Sequence, residues 1–173
     1  MNMIVAHCRN KGIGFQNKIP WYIPDELKYF KMITSAYKNS SVIMGKNTWL
    51  SLPKKPLSNR NNIILSNSLH KIEIEKYNNT KLFKTKEEIL NYINKTHTPY
   101  WIIGGEKIYK TFINCDELEY IYVTKIEENY DCDTFFPDIP ENFKLITNSN
   151  IKNKNNVFYK YEIYRKFRNN AFN

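Results

Sequence analysis

Ser41-Val42-Ile43-Met44-Gly45-Lys46-Asn47-Thr48-Trp49-Leu50-Ser51-Leu52 contains an apolar, partly β-branched run, a glycine, and then a stretch free of both glycine and proline. This predicts a strand over Ser41 to Met44 and a helix from Lys46 to Leu52 that starts where the strand stops. The same order recurs at Tyr100 to Ile103, Gly104-Gly105 and a helix over Glu106 to Ile113. It recurs again at Thr80 to Phe83, Thr85 and a helix over Lys86 to Asn94. Repeated strand-then-helix order predicts a three-layer α/β domain. Runs that are apolar on both faces, Ile63-Ile64-Leu65 and Trp101-Ile102-Ile103, suit central parallel strands covered by helices.

Further strands are expected over Met3 to Cys8, Asn62 to Ser66, Glu119 to Ile126 and Val157 to Arg165. The last alternates in part, which places it near an edge or in an antiparallel pair. The lysine and asparagine run Asn148 to Asn156 reads as an exposed loop. Pro24-Asp25-Glu26 opens a helix that can run to about Tyr37, with proline suited to the first turn and two carboxylates favoured by the dipole.

With 173 residues, 42% of them hydrophobic and 25% charged, the chain fits one globular domain with a real core. We expect that domain over residues 1–168, with a short tail at 169–173. Apolar runs such as Met3 to Ala6 stop far short of a membrane span, and the start lacks a secretory pattern, so the expected location is cytoplasmic. Cys8, Cys115 and Cys132 are odd in number and far apart in sequence, with no CxxC pair, and read as reduced, buried thiols. The net charge of +9 favours anionic partners, though 22 of the 26 basic residues are lysine and a biased coding sequence explains much of the excess.

Two junctions, Met44-Gly45-Lys46-Asn47-Thr48 and Ile103-Gly104-Gly105-Glu106-Lys107, join a glycine to the free amides of a helix start, a combination that binds phosphate. Together they suit a pyrophosphate and one more phosphate. Gly12-Ile13-Gly14 does not complete a GxGxxG fingerprint, because Asn17 stands where the third glycine belongs, so a standard Rossmann dehydrogenase is disfavoured. On the helix from Pro24, Glu26, Phe30 and Ile33 share one face, so an acid lies beside apolar groups where a flat heterocycle can bind. Taken alone, Glu26 is equally a solvated first-turn acid, and Asp25 points about 100° away from it. Arg60, one of four arginines, precedes an apolar strand and suits a carboxylate, or is simply a surface residue. His7, His70 and His97 show no metal-ligand spacing, and no nucleophilic triad is legible.

Five motifs then agree in order and spacing: Ile19-Pro20-Trp21, Val42 through Trp49, Pro56 through Ser66, Ile103-Gly104-Gly105 through Tyr109, and Asp133-Thr134-Phe135-Phe136-Pro137. From Met3 to about Lys166 the chain resembles the dihydrofolate reductase family. The resemblance implies a mixed, mostly parallel eight-stranded sheet flanked by about four helices. It implies NADPH-dependent reduction of 7,8-dihydrofolate by hydride transfer to the pterin C6. Glu26 is then the acid that binds the pterin amino group and ring nitrogen. Trp21 helps to hold an ordered water, and the Thr124 hydroxyl links to the Glu26 carboxylate. Backbone groups of Ile4, Ala6 and Ile103 face the pterin, Leu27, Phe30, Leu52 and Leu57 pack on the benzoyl ring, and Arg60 pairs with the glutamate carboxylate.

The cofactor is expected along Ala6, Ile13, Gly14 and Ile19, along Gly45, Lys46, Asn47 and Thr48, at Leu65, Ser66 and Asn67, and along Gly104, Gly105, Glu106, Lys107, Ile108 and Tyr109. Tyr109 lies near the nicotinamide, Lys46 and Ser66 suit the 2′-phosphate, and Ile13 to Ile19 form a mobile loop. Glu106 stands where the family often has glycine, which puts a negative charge near the pyrophosphate. No metal, nucleic acid or membrane partner is expected, and the chain reads as a monomer unless it is cut from a thymidylate synthase fusion. Two other functions compete. A pyrimidine reductase of riboflavin synthesis would lack the joint pattern of Trp21, Glu26, Phe30 and Arg60. A basic nucleic-acid-binding domain would cluster its aromatic residues with lysine on one exposed sheet face.

Overall fold

The computed structural model describes residues 1–96 and 98–167. His97, the domain end expected at residue 168 and the tail expected at 169–173 lie outside the described residues.

The seven strands expected from sequence all form, each within one residue of the anticipated ends: β1 (Asn2–His7), β3 (Ser41–Gly45), β4 (Asn61–Leu65), β5 (Thr80–Phe83), β6 (Tyr100–Gly104), β7 (Tyr120–Ile126) and β11 (Val157–Lys166). Four more were not anticipated: β2 (Gly12–Gly14), β8 (Thr134–Phe135), β9 (Phe143–Asn148) and β10 (Lys152–Lys154). Lys152–Lys154 corrects the loop reading of that run. β10 is exposed throughout, so it carries no apolar signature. Asn155 and Asn156 both have positive φ and form the two-residue turn that folds β10 back onto β11, with Lys154 opposite Val157.

The strand order is β10-β11-β7-β1-β6-β3-β4-β5, with β9 also paired to β11. β10 pairs the first residues of β11 and β9 the last, so the sheet is eight strands wide although nine contribute. Pairs from β7 through β5 are parallel, and β11 is antiparallel to β7, β9 and β10.

Alternation along the strands builds the layers. Met3, Val5, Ile43 and Ile102 face one side, under α4 (Lys86–Ile93) and α5 (Glu106–Phe112). Ile4, Val42, Met44 and Trp101 face the other, under α1 (Pro24–Thr34), α2 (Lys46–Ser51) and α3 (Lys71–Glu75). That makes five helices among the described residues against about four expected; α3 is a single short turn without a strong periodic pattern. α1 stops at Thr34 rather than near Tyr37; the Ser35 amide closes the last turn on the Lys31 carbonyl, and the Thr34 and Ser35 hydroxyls add bonds to the carbonyls of Phe30 and Lys31. No helix among the described residues is long and apolar enough to cross a membrane.

Candidate active site

The parallel strands end together on one edge of the sheet, the edge where α/β proteins place their ligands. Two glycine junctions meet there. A Cβ on Gly45, at the end of β3, would lie 2.9 Å from the Ile108 side chain, and one on Gly105, at the start of α5, would lie 3.4 Å from the Thr48 hydroxyl. The starts of α2 and α5 thus touch, and neither carries a side-chain cap. The two phosphate-binding junctions read from sequence form one surface. Thr48 and Ile108 line its inner side, while Asn47 and Lys107 are exposed on its rim.

Beside it, Lys46 donates to the Ser68 hydroxyl at 3.1 Å, and the Ser68 amide donates to Ser66 Oγ at 3.2 Å. Ser68 was not anticipated, since a serine three positions beyond a strand has no distinctive signal. Leu65 is half-buried and Asn67 exposed at the end of β4. The arrangement suits a dinucleotide with an extra phosphate: close backbone approach, uncapped helix amides, and a lysine held beside two hydroxyls.

Glu106, at the start of α5, has partners that the sequence does not show. Its carboxylate is engaged by Lys110 and accepts the Phe135 amide at 3.1 Å, and the Lys110 bond holds it below the usual carboxylate range. The negative charge at the start of α5 is therefore paired and serves to tie α5 to β8.

The segment Ile13 to Ile19 was expected as a mobile loop, yet its first part is strand. Gly12 and Gly14 pair with Phe135 and Thr134, and the tip closes by a Phe15–Lys18 bridge with Gln16 and Asn17 at positive φ. The Gln16 amide donates to Asp133 at 2.8 Å. Ile13 packs against the core, whereas Phe15 and Ile19 are exposed.

Across the edge from the junctions, α1 brings Glu26 inward at 7% exposure. Its carboxylate makes no hydrogen bond or ion pair among the described residues, and burial alone raises its pKa from 4.5 to about 7. Asp25, one residue earlier, sits outside and pairs with Lys28 at 3.6 Å. The faces inferred from helical spacing are therefore the observed ones.

Trp21 is buried in a cluster with Cys8, Ile23 and Tyr159. Tyr109 joins the two halves of the site. Its hydroxyl donates to the Ile4 carbonyl at 2.9 Å, its ring lies against Gly104, where φ is +105°, and burial and the nearby Glu26 raise its pKa. The Ile4 carbonyl, expected to face the substrate, therefore already accepts one bond.

Ala6 and Thr124 stand opposite each other on β1 and β7. The expected link from Thr124 to Glu26 is not made. Thr124 Oγ1 is buried without a partner, one of two such side-chain atoms among the described residues, and the two side chains stop short of hydrogen-bond distance.

Phe30, Leu52, Leu57 and Ile103 are half-buried against the same apolar cluster, while Leu27 is largely exposed at the rim. Arg60 is buried, not a surface arginine. It donates to Thr34 Oγ1 at 2.7 Å and to the Ser58 carbonyl at 3.0 Å, and its guanidinium lies 5.7 Å from the centre of the Phe30 ring. Burial lowers its pKa. A fixed cation thus lies against Phe30, and the unpaired acid Glu26 stands one helical turn before Phe30 on the same face of α1.

The sequence model described as dihydrofolate reductase matches residues 1–166. The chain belongs to the dihydrofolate reductase family. It is 35% identical to a dihydrofolate reductase from Aedes albopictus over 95% of this chain and 96% of that one. It is 35% identical to one from Gallus gallus over 96% of each. A bifunctional dihydrofolate reductase-thymidylate synthase from Paramecium tetraurelia is 31% identical over 93% of this chain and 33% of its own length.

Proposed function

We propose that this chain reduces 7,8-dihydrofolate to 5,6,7,8-tetrahydrofolate in a cleft between α1 and the α2 and α5 junctions. The observation that carries the reading is Glu26, a buried acid with no protein partner and a pKa raised to about 7. An acid left unpaired in an apolar cleft is poised for a ligand that donates two hydrogen bonds, as the amino group and ring nitrogen of a pterin do.

NADPH, when bound, supplies the hydride that reaches the pterin C6. The chain's own residues bind and orient. Glu26 fixes and polarises the pterin, and near neutral pH it can hold or release a proton. The proton for the adjacent ring nitrogen arrives through water at the part of the cleft that Trp21 borders. Phe30, Leu52 and Leu57 pack on the benzoyl ring, and Arg60 takes the glutamate carboxylate by a charge-assisted, forked contact. Lys46, Ser66 and Ser68 receive the 2′-phosphate, which favours NADPH over NADH. The same reading makes the chain a cytoplasmic monomer of one domain.

The test is direct. Purified protein mixed with NADPH and dihydrofolate should lose NADPH absorbance across neutral pH with a matching yield of tetrahydrofolate. No loss under those conditions refutes the assignment.

A further inference from the structure

Cys8 and Cys132 lie 124 positions apart in the chain, yet their sulfurs are 3.9 Å from each other. Cys8 follows β1 and is fully buried; Cys132 precedes β8 and is partly open to solvent. Their spacing along the chain says nothing about strand order, so from sequence they read only as reduced, buried thiols.

The pair is packed against Gly12. A Cβ there would fall 3.0 Å from Cys8 Sγ and closer still to Cys132 Sγ, so the glycine makes the space that both sulfurs share. The Cys8 thiol donates to Asn10 Oδ1 at 2.7 Å, which leaves its lone pairs free on the Cys132 side. A disulfide needs the sulfurs at about 2.05 Å, a closure of roughly 2 Å that side-chain rotation can supply.

We propose that Cys8 and Cys132 are an oxidisable dithiol that closes into a disulfide and staples the end of β1 to the β2–β8 pair beside the cleft. With a peroxide as oxidant, the thiolate of Cys132, the more accessible of the two, attacks one peroxide oxygen. An S–O bond forms, the O–O bond breaks, and hydroxide leaves, giving a sulfenic acid. The Cys8 sulfur then attacks the Cys132 sulfur. The S–S bond forms, the S–O bond breaks, and the departing hydroxide takes the Cys8 proton as water. Two electrons pass from the two thiols to the peroxide.

Burial pushes the Cys132 thiol up to about 11, and the facing Cys8 thiol and Asp133 carboxylate push in the same direction. Only the thiolate reacts, so oxidation should speed up about tenfold per pH unit across the neutral and mildly alkaline range. Cys115 is separate, with its thiol donating to Glu117 at 2.8 Å.

The experiment treats the reduced full chain with hydrogen peroxide and reads intact mass and peptide maps. The expected result is the loss of two hydrogens per chain, a Cys8–Cys132 linked peptide pair, reversal by dithiothreitol, and a rise in Tm of roughly 5 °C or more. Cys132→Ser should abolish the mass loss. Cys8→Ser should stop at a sulfenic acid on Cys132 that a 1,3-diketone probe labels. Oxidation that only adds oxygen, a link through Cys115, or an unchanged mass overturns the proposal. None of these readouts depends on reductase activity, so the dithiol and the proposed reaction fail separately.

Discussion

Glu26→Gln should make the protein more stable as pH rises while crippling its chemistry. Burial raises the carboxyl pKa from 4.5 to about 7, with no cation or donor to offset it. For an acid whose folded pKa lies above its unfolded one, the folded state binds more protons between the two values. Stability is therefore full below about pH 4.5 and falls as pH climbs through 7. The shift corresponds to about 3 kcal/mol at complete ionisation, of which about 2 to 3 kcal/mol develops between pH 5 and pH 8.

Glutamine keeps the volume and does not titrate, so its own desolvation cost is the same at every pH. The wild-type-minus-variant difference from urea unfolding should thus change by about 2 to 3 kcal/mol over that range, or roughly 5 to 10 °C in Tm. Single-turnover hydride transfer should meanwhile fall roughly 10²-fold. Asp25→Asn is the control, because Asp25 lies outside and pairs with Lys28, and it should move neither quantity much. A stability difference that does not vary with pH would show that Glu26 is solvated in solution, and the argument from burial would fail.

Three other outcomes follow from the same geometry. Arg60→Leu should weaken dihydrofolate binding by about 2 to 5 kcal/mol and leave NADPH binding close to wild type, as separate titrations of the two ligands can show; equal weakening of both would make Arg60 purely structural. Lys46→Ala should shrink the ratio of kcat/KM for NADPH over NADH about tenfold or more, since one charge-assisted contact to the 2′-phosphate is lost; an unchanged ratio removes Lys46 from the phosphate site. Thr124→Val should leave Tm unchanged or slightly higher, because the hydroxyl has no partner to lose, while turnover falls about tenfold if that hydroxyl meets Glu26 or substrate in the complex. A drop in Tm with unchanged turnover would place Thr124 in the framework alone.

Local pattern was enough for the strands that build the layers and for the register of α1. Apolar runs such as Ile63-Ile64-Leu65 can only be buried on both faces, and a 3.6-residue period puts Glu26 and Phe30 on one side with Asp25 on another. The glycines at 45, 104 and 105 likewise marked junctions where backbone must come close. The weak elements were illegible for the opposite reason. β2 and β8 are two or three residues long, and β10 is exposed on both faces, so their pairing comes from partners rather than from their own residues.

Whether an exposed-looking residue is buried was also beyond the sequence. Arg60 is enclosed because Thr34, Ser58 and Phe30 converge on it, and the Glu106 carboxylate, paired with Lys110 within α5, also takes the Phe135 amide because β8 passes over the start of α5. The meeting of Cys8 with Cys132, and of Lys46 with Ser68, depends on the strand order and on where each chain segment re-enters the sheet edge. Periods of two and 3.6 residues set which way a side chain faces within its own element. Distances between elements are set by packing the whole chain, and the electrostatics of Glu26 follow from those distances.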